Sequence, residues 1–137
     1  MAAGLSGGCA CGAVRYQATV DPVLMLNCHC RDCQRAGGGA YAPLVIVPKA
    51  GLRLHGELRY HRSTGDNGMA VERGFCPNCG SQIAILLERL PDIVALQAGS
   101  LADPSRFVPA MDAFTECAQP WDHLPAERKK FPRGIAA

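Results

Sequence analysis

The sequence predicts a small, mainly β protein, and three observations support this fold class. Short alternating runs rich in β-branched residues recur along the 137-residue chain, and no stretch shows long helical periodicity. Fifteen glycines and ten prolines separate these runs. Eight cysteines offer metal sites that would supplement a core containing only 6% aromatic residues. We therefore expect one domain over residues 1–137, built of antiparallel sheets and hairpins.

The predicted elements follow from local composition. A single helical turn is expected over residues 31–36, ending at the three glycines 37–39. Residues 63–68 have the composition of a hairpin turn, and residues 48–56 are expected to form a turn region. Residues 90–92 are expected to separate the last two strands. In chain order, the predicted strands are 14–20, 23–26, 41–47, 58–62, 69–75, 81–87 and 93–98.

The densest chemical signal is the stretch Cys28-His29-Cys30-Arg31-Asp32-Cys33. Thiolates select zinc among common divalent ions, and zinc binds cysteine and histidine in tetrahedral geometry. Cys28 and Cys30 face one side of an extended segment, and a turn would bring Cys33 around to join them. The site then either keeps a fourth position open, as catalytic zinc does, or is closed by His29 or a distant cysteine.

Four more cysteines occur in two close pairs. Cys9 and Cys11 form one pair, while Cys76 and Cys79 flank a Pro-Asn turn followed by Gly80, which is typical of a zinc knuckle. We favour one closed structural site made of these four residues. An alternative site joins Cys9 and Cys11 to Cys28 and Cys30. Loop-closure entropy does not decide between these groupings, because it grows only logarithmically with loop length.

Three blocks in order, residues 7–16, 28–33 and 75–81, resemble the glutathione-dependent formaldehyde-activating enzyme family, which includes centromere protein V. The resemblance extends from about residue 7 to residue 121, with residues 122–137 as a C-terminal tail. It implies coiled sheets similar to those of methionine sulfoxide reductase B. It also implies two zinc ions per chain, although a protein made in excess can hold the structural ion alone. The implied ligands are Cys9, Cys11, Cys76 and Cys79 for the structural ion, and Cys28, Cys30 and Cys33 for the catalytic one.

The resemblance implies a carbon–sulfur lyase that joins glutathione and formaldehyde, or splits their adduct. An open zinc site suits this reaction because a coordinated thiol is deprotonated. The carboxylates of glutathione need cationic partners, and Arg31 and Arg35 flank the metal loop. The alternative is a non-catalytic zinc module that binds glutathione or a protein partner.

Composition argues against other function classes. The net charge of +2 is too small to indicate nucleic-acid binding, and the basic run of residues 128–130 is expected to be solvated. No apolar run approaches the roughly 20 residues that span a bilayer, and no export signal is visible. We therefore expect a cytoplasmic protein with reduced cysteines, acting on a small thiol and an aldehyde.

Four further residues lie near these motifs in the sequence or in the matching family pattern. His29 is expected to orient the metal ligands through hydrogen bonds. Asp112 stands where many members of the family carry a histidine, which leaves the fourth-ligand arrangement open. Cys117 is expected to be a small buried apolar residue. Trp121 is expected to pack in the core or an interface rather than to form a substrate platform.

Overall fold

The computed structural model describes residues 4–134 and confirms a mainly β architecture with little helix. The ends of the predicted domain, residues 1–3 and 135–137, lie outside the described residues. One α-helix, α1 (Arg31–Gly37), occurs among the described residues. The eleven strands are β1 (Leu5–Gly8), β2 (Arg15–Ala18), β3 (Leu24–Cys28), β4 (Ala42–Pro48), β5 (Leu52–His55), β6 (Arg59–Thr64), β7 (Ala70–Phe75), β8 (Gln82–Leu87), β9 (Leu90–Gln97), β10 (Met111–Ala113) and β11 (Lys129–Phe131).

The strands form two sheets. A small sheet contains three antiparallel strands in the order β1-β2-β5, and a large sheet contains eight in the order β11-β10-β3-β4-β9-β8-β7-β6. The prediction of purely antiparallel sheets is wrong at one edge, where β10 runs parallel to both β3 and β11. In the chain, β10 follows β3 only after the strands β4–β9, and it pairs with β3 in the same direction.

All seven predicted strands are present, and the predicted hairpin joins β6 to β7. Its turn is closed by hydrogen bonds from Gly65 N–H to the Met69 carbonyl and from Gly68 N–H to the Gly65 carbonyl. The predicted helical turn is α1, which is followed by the C-cap residue Gly38 in the left-handed conformation (φ 79°). A glycine suits this position because a side chain there would be strained.

Other elements differ from the sequence prediction. The turn region 48–56 contains β5, because Leu52–His55 pairs with β2 along its whole length. Residues 90–92 begin β9 instead of separating two strands, and the register shifts where β8 meets β9. The strands β1, β10 and β11 were not among those predicted. They are short, and they lack the alternation of apolar residues that marks a strand in isolation.

Two apolar cores lie on opposite faces of the large sheet. Along β4, Val45 and Val47 face a core that also contains Leu5 and Tyr16 from the small sheet. The preceding residue, Leu44, belongs to the second core, and the intervening residue, Ile46, packs against that core, since side chains alternate along a strand. Cys28 and Cys33 are part of this second core. The three-cysteine stretch therefore lies on the face of the large sheet that is remote from the small sheet.

The close approach of β1 to its neighbours requires glycine at position 7. A Cβ atom on Gly7 would lie 2.3 Å from both the Ser100 carbonyl oxygen and the Tyr16 hydroxyl. We predict that Gly7→Ala lowers the free energy of unfolding by about 1–3 kcal/mol, as overpacking commonly does. Urea denaturation would measure the loss. The control is Gly99→Ala, because a Cβ at Gly99 meets no atom within 4 Å. Equal stability of the two variants would contradict this account of β1.

Candidate functional site

Four cysteines from two turns form one cluster, which joins the two sheets. Cys9 and Cys11 lie in the turn after β1, and Cys76 and Cys79 lie in the turn between β7 and β8. Their ligand atoms all lie within 4.8 Å of one another, so this four-cysteine cluster could hold a metal ion. The sulfurs of Cys9 and Cys11 are 3.6 Å apart, and those of Cys11 and Cys76 are 3.8 Å apart.

Hydrogen-bond donors around the four-cysteine cluster favour thiolates. The backbone N–H of Val14 donates to Cys9 Sγ at 3.2 Å and lowers the pKa of that thiol. Hydrogen bonds from Ser81, whose hydroxyl lies 3.2 Å from the sulfur, lower the pKa of Cys79 to about 5. Because metals bind the thiolate form, such donors suit a metal site.

The end of β3 and the start of α1 bring three cysteines together. Cys28 is the last residue of β3, Cys30 is the N-cap of α1, and Cys33 lies in the first turn of that helix. Their sulfurs lie within 4.8 Å of one another. Cys30 Sγ accepts a hydrogen bond from the Cys33 N–H at 3.2 Å, so one sulfur caps the helix that carries another. The structure groups Cys9 and Cys11 with the distant pair, and not with this three-cysteine cluster.

The three thiols influence each other's proton affinity strongly. Hydrogen bonds from Cys28 and Cys30, together with one from Arg73, lower the pKa of Cys33 to about 3 despite its burial. The corresponding interactions with Cys30 and Cys33 raise the pKa of Cys28. Arg73 Nη2 lies 3.6 Å from Cys33 Sγ. Arg73 is not predicted as a site residue, because nothing in its local sequence distinguishes it from other arginines on strands.

His29 is buried between two carboxylates. Its Nε2 lies 2.8 Å from Asp112 Oδ1, and its Nδ1 lies 2.8 Å from Asp122 Oδ2. The His29 side chain is 1% exposed, and its backbone N–H donates to the Ala113 carbonyl at 2.9 Å. Only the contact with Asp112 has hydrogen-bond geometry, because His29 Nδ1 and Asp122 Oδ2 are both buried without a hydrogen-bond partner. The hydrogen bond to Asp112 fixes the orientation of the His29 ring beside Cys28 and Cys30.

Arg128 completes this buried charge network. Its Nε donates to Asp112 Oδ2 at 2.8 Å. Burial alone would raise the pKa of Asp112, but the hydrogen bonds from Arg128 and His29 outweigh it, so that pKa lies below its ordinary value. The prediction of a solvated basic run is thus wrong at Arg128, because a fully buried carboxylate binds it. The run continues into β11 beside β10.

The remaining predicted residues lie around α1 and the segment after β10. Arg31 and Arg35 are exposed, and Arg31 donates to the side-chain oxygen of Gln34. Gln34, which no local sequence pattern marks, is buried and donates to the carbonyls of His29 (2.7 Å) and Cys117 (3.0 Å). Cys117 is half-buried rather than fully buried. Trp121 is 63% exposed, so it does not pack in the core, and its packing in an interface stays a prediction.

A cavity of about 790 Å³ opens beside the four-cysteine cluster. Cys9, Arg15, Tyr16 and Ser100 are among its lining residues. Tyr16 belongs to the core between the two sheets, whereas Cys28 and Cys33 belong to the core on the other face of the large sheet. A molecule in this cavity would therefore be separated from the three-cysteine cluster by the large sheet.

The fold and the site define a class: a small, mainly β protein with two cysteine clusters, each of which could hold a metal ion. Residues 4–117 match the family described as glutathione-dependent formaldehyde-activating enzyme (GFA). Because this match covers most of the chain, the protein belongs to that family.

The known proteins that are similar to this chain include a curated relative and a solved structure. A Halomonas elongata protein named "Putative glutathione-dependent formaldehyde-activating enzyme" is 33% identical over 95 residues, which span 66% of this chain and 60% of that relative. A crystal structure of a Rhodobacter sphaeroides protein matches with a TM-score of 0.56 at 23% identity, covering 76% of this chain and 97% of the other. The latter supports the fold alone.

No helix within residues 4–134 is both long enough and apolar enough to cross a membrane.

The charge network predicts unequal consequences for two arginines near the C-terminus. Arg128→Met leaves the buried Asp112 carboxylate without its cationic partner. We expect the free energy of unfolding to fall by about 2–3 kcal/mol, less than a fully buried pair would lose because the Arg128 side chain is partly exposed. The control is Arg133→Met, since the Arg133 side chain is 83% exposed and its pair with Glu116 contributes about 0–1 kcal/mol. Chemical denaturation would measure both, and equal losses would refute the network.

Proposed function

We propose that the three-cysteine cluster binds zinc with one coordination position open, and that a glutathione-like thiol uses this position to react with formaldehyde. One observation carries the proposal: three sulfurs converge here, and four converge in the other cluster. Within residues 4–134, no fourth histidine, cysteine or acidic ligand joins Cys28, Cys30 and Cys33. A zinc site with three protein ligands keeps a position for water or substrate, whereas a four-cysteine site is closed and structural.

The donor set fits zinc in both clusters. Thiolates are soft ligands that favour zinc over magnesium or calcium. At the three-cysteine cluster, the N–H donor to Cys30 and the arginine beside Cys33 stabilise negatively charged sulfur. We assign Cys9, Cys11, Cys76 and Cys79 to a structural zinc that fastens the small sheet to the large one.

His29 is consistent with an open position, because its side chain is already hydrogen-bonded to Asp112. A histidine between two cysteine ligands is the first candidate to close the site. Its ring nitrogens instead face Asp112 and Asp122, each at 2.8 Å. Asp112 is also held by Arg128. Use of His29 Nε2 or Asp112 as a fourth ligand would break the buried hydrogen bonds that link His29, Asp112 and Arg128.

Zinc held by the three thiolates would lower the pKa of a bound thiol and keep it as a thiolate. The reaction then forms one carbon–sulfur bond between the thiol sulfur and the formaldehyde carbon. The thiol proton is released when the thiol binds, and the former carbonyl oxygen takes up one proton. The product is S-hydroxymethylglutathione, and the reverse reaction splits it into the thiol and formaldehyde.

Glutathione binding requires partners for its two carboxylates. We assign this role to Arg31 and Arg35, which are exposed at the two ends of the seven-residue helix α1. Arg31 is already hydrogen-bonded to Gln34, so its guanidinium is oriented in advance. Because clustered thiolates require reduced cysteines, we place the reaction in the cytoplasm.

Family membership and the name of the Halomonas elongata relative both support a formaldehyde-activating reaction. The match spans only 60% of that relative, so its whole activity is not carried over directly. The assignment of substrate to this chain thus depends on the three-cysteine cluster.

Removing one sulfur tests this assignment. We predict that Cys30→Ser lowers zinc from about two ions per chain to about one and abolishes formation of the glutathione–formaldehyde adduct, because two sulfurs hold zinc poorly. Serine is a good N-cap, so α1 should keep its first turn. Elemental analysis and proton NMR of the adduct would provide the measurements.

The matched control is Cys117→Ser, because Cys117 lies outside both clusters. It should keep both zinc ions and the activity. Adduct formation at the wild-type rate in Cys30→Ser would contradict the proposed function. Thiol binding without turnover in the wild-type protein would favour a non-catalytic binding module.

A further inference from the structure

Arg73 occupies an unusual position for a charged residue. It lies in β7, and it reaches the three-cysteine cluster, where its Nη2 is 3.6 Å from Cys33 Sγ. The neighbouring residue on β8 in the sheet register is Ile85, which belongs to the same core as Cys28 and Cys33. The arginine is thus directed into an otherwise apolar core that contains the cluster.

Arg73 has few other partners. Its Nη1 is 3.5 Å from Ser63 Oγ, and its Nε is fully buried without a hydrogen-bond partner. Among residues 4–134, no carboxylate forms an ion pair with it. An arginine that is partly buried and lacks a carboxylate is costly unless another negative group compensates it. The sulfurs of the cluster are the available negative groups.

From this geometry we infer that Arg73 sets the specificity of the open position for a negatively charged ligand. The inference rests on the proposed function. Three thiolates and one divalent zinc carry a net charge of minus one, so a fourth thiolate meets repulsion. The guanidinium beside Cys33 offsets this charge. It therefore favours a thiolate over a neutral ligand, and it is a specificity residue rather than a reacting group.

The test compares a charged and a neutral ligand on the same metal. Cobalt(II) replaces zinc, and its visible spectrum reports ligand exchange at the open position. The probes are 2-mercaptoethanol, which binds as a thiolate and has no carboxylate, and imidazole, which binds as a neutral ligand. We expect Arg73→Met to weaken thiol binding about 10–100-fold, the usual effect of altering a residue that supports metal ligands. Imidazole binding should change less than threefold.

Two further variants separate charge from packing. Arg73→Lys keeps the charge and should retain thiol binding within about threefold of wild type. Arg73→Gln removes the charge but keeps a hydrogen-bond donor, and it provides the comparison if Arg73→Met fails to fold. The matched control is Arg62→Met on the adjacent strand β6, where the Arg62 side chain is 68% exposed and 4.0 Å from Glu72. It should bind both probes as the wild-type protein does.

The outcomes distinguish this inference from the proposed function. Wild-type protein whose cobalt spectrum does not respond to thiol would overturn the proposed open site, and the inference with it. Wild-type protein that binds thiol, with equal thiol affinity in the Met or Gln variant, would overturn the inference alone. Equal weakening of thiol and imidazole binding would also overturn it, because that pattern indicates a structural role.

Discussion

The contact of His29 with two buried carboxylates is the constraint on which the three-cysteine cluster depends. His29 lies between Cys28 and Cys30; its Nε2 is hydrogen-bonded to Asp112 at 2.8 Å, and Asp122 Oδ2 lies 2.8 Å from its Nδ1. Its backbone is fixed separately, by a hydrogen bond from its N–H to β10 and one from Gln34 to its carbonyl. Because the turn is held through both backbone and side chain, the two neighbouring sulfurs keep their positions without a histidine ligand. Second-layer contacts of this kind commonly orient metal ligands.

The two cysteine clusters differ in what they connect. The four-cysteine cluster joins turns that belong to different sheets, so a metal ion bound there would fasten one sheet to the other. The three-cysteine cluster is formed locally, by the end of β3 and the first turn of α1, and it lies in a core with Arg73 beside it. Four sulfurs suit a closed structural metal site, whereas three sulfurs suit a site with an open coordination position. The large sheet separates the two clusters.

Much of this organisation was predictable from sequence, because cysteine spacing and alternating apolar residues are local signals. Seven strands (β2, β3, β4, β6, β7, β8 and β9) and α1 followed from such patterns. The short strands β1, β5, β10 and β11 did not, since each is formed only beside a partner strand, as β1 is beside β2 and β11 is beside β10. For the same reason, Arg73, Gln34 and Asp122 were not predicted as residues of the site. Each contributes through a contact with a residue at least five positions away, and no local pattern marks such residues.

X-ray absorption at the zinc edge tests most directly whether the two zinc sites differ by one open coordination position. A protein loaded with two zinc ions should show an average of about 3.5 sulfur ligands per zinc, because one site has four and the other three. Saturation with glutathione should raise this average to about 4 and remove the lighter ligand. An average of about 4 before any thiol is added, or an average unchanged by glutathione, would contradict the account.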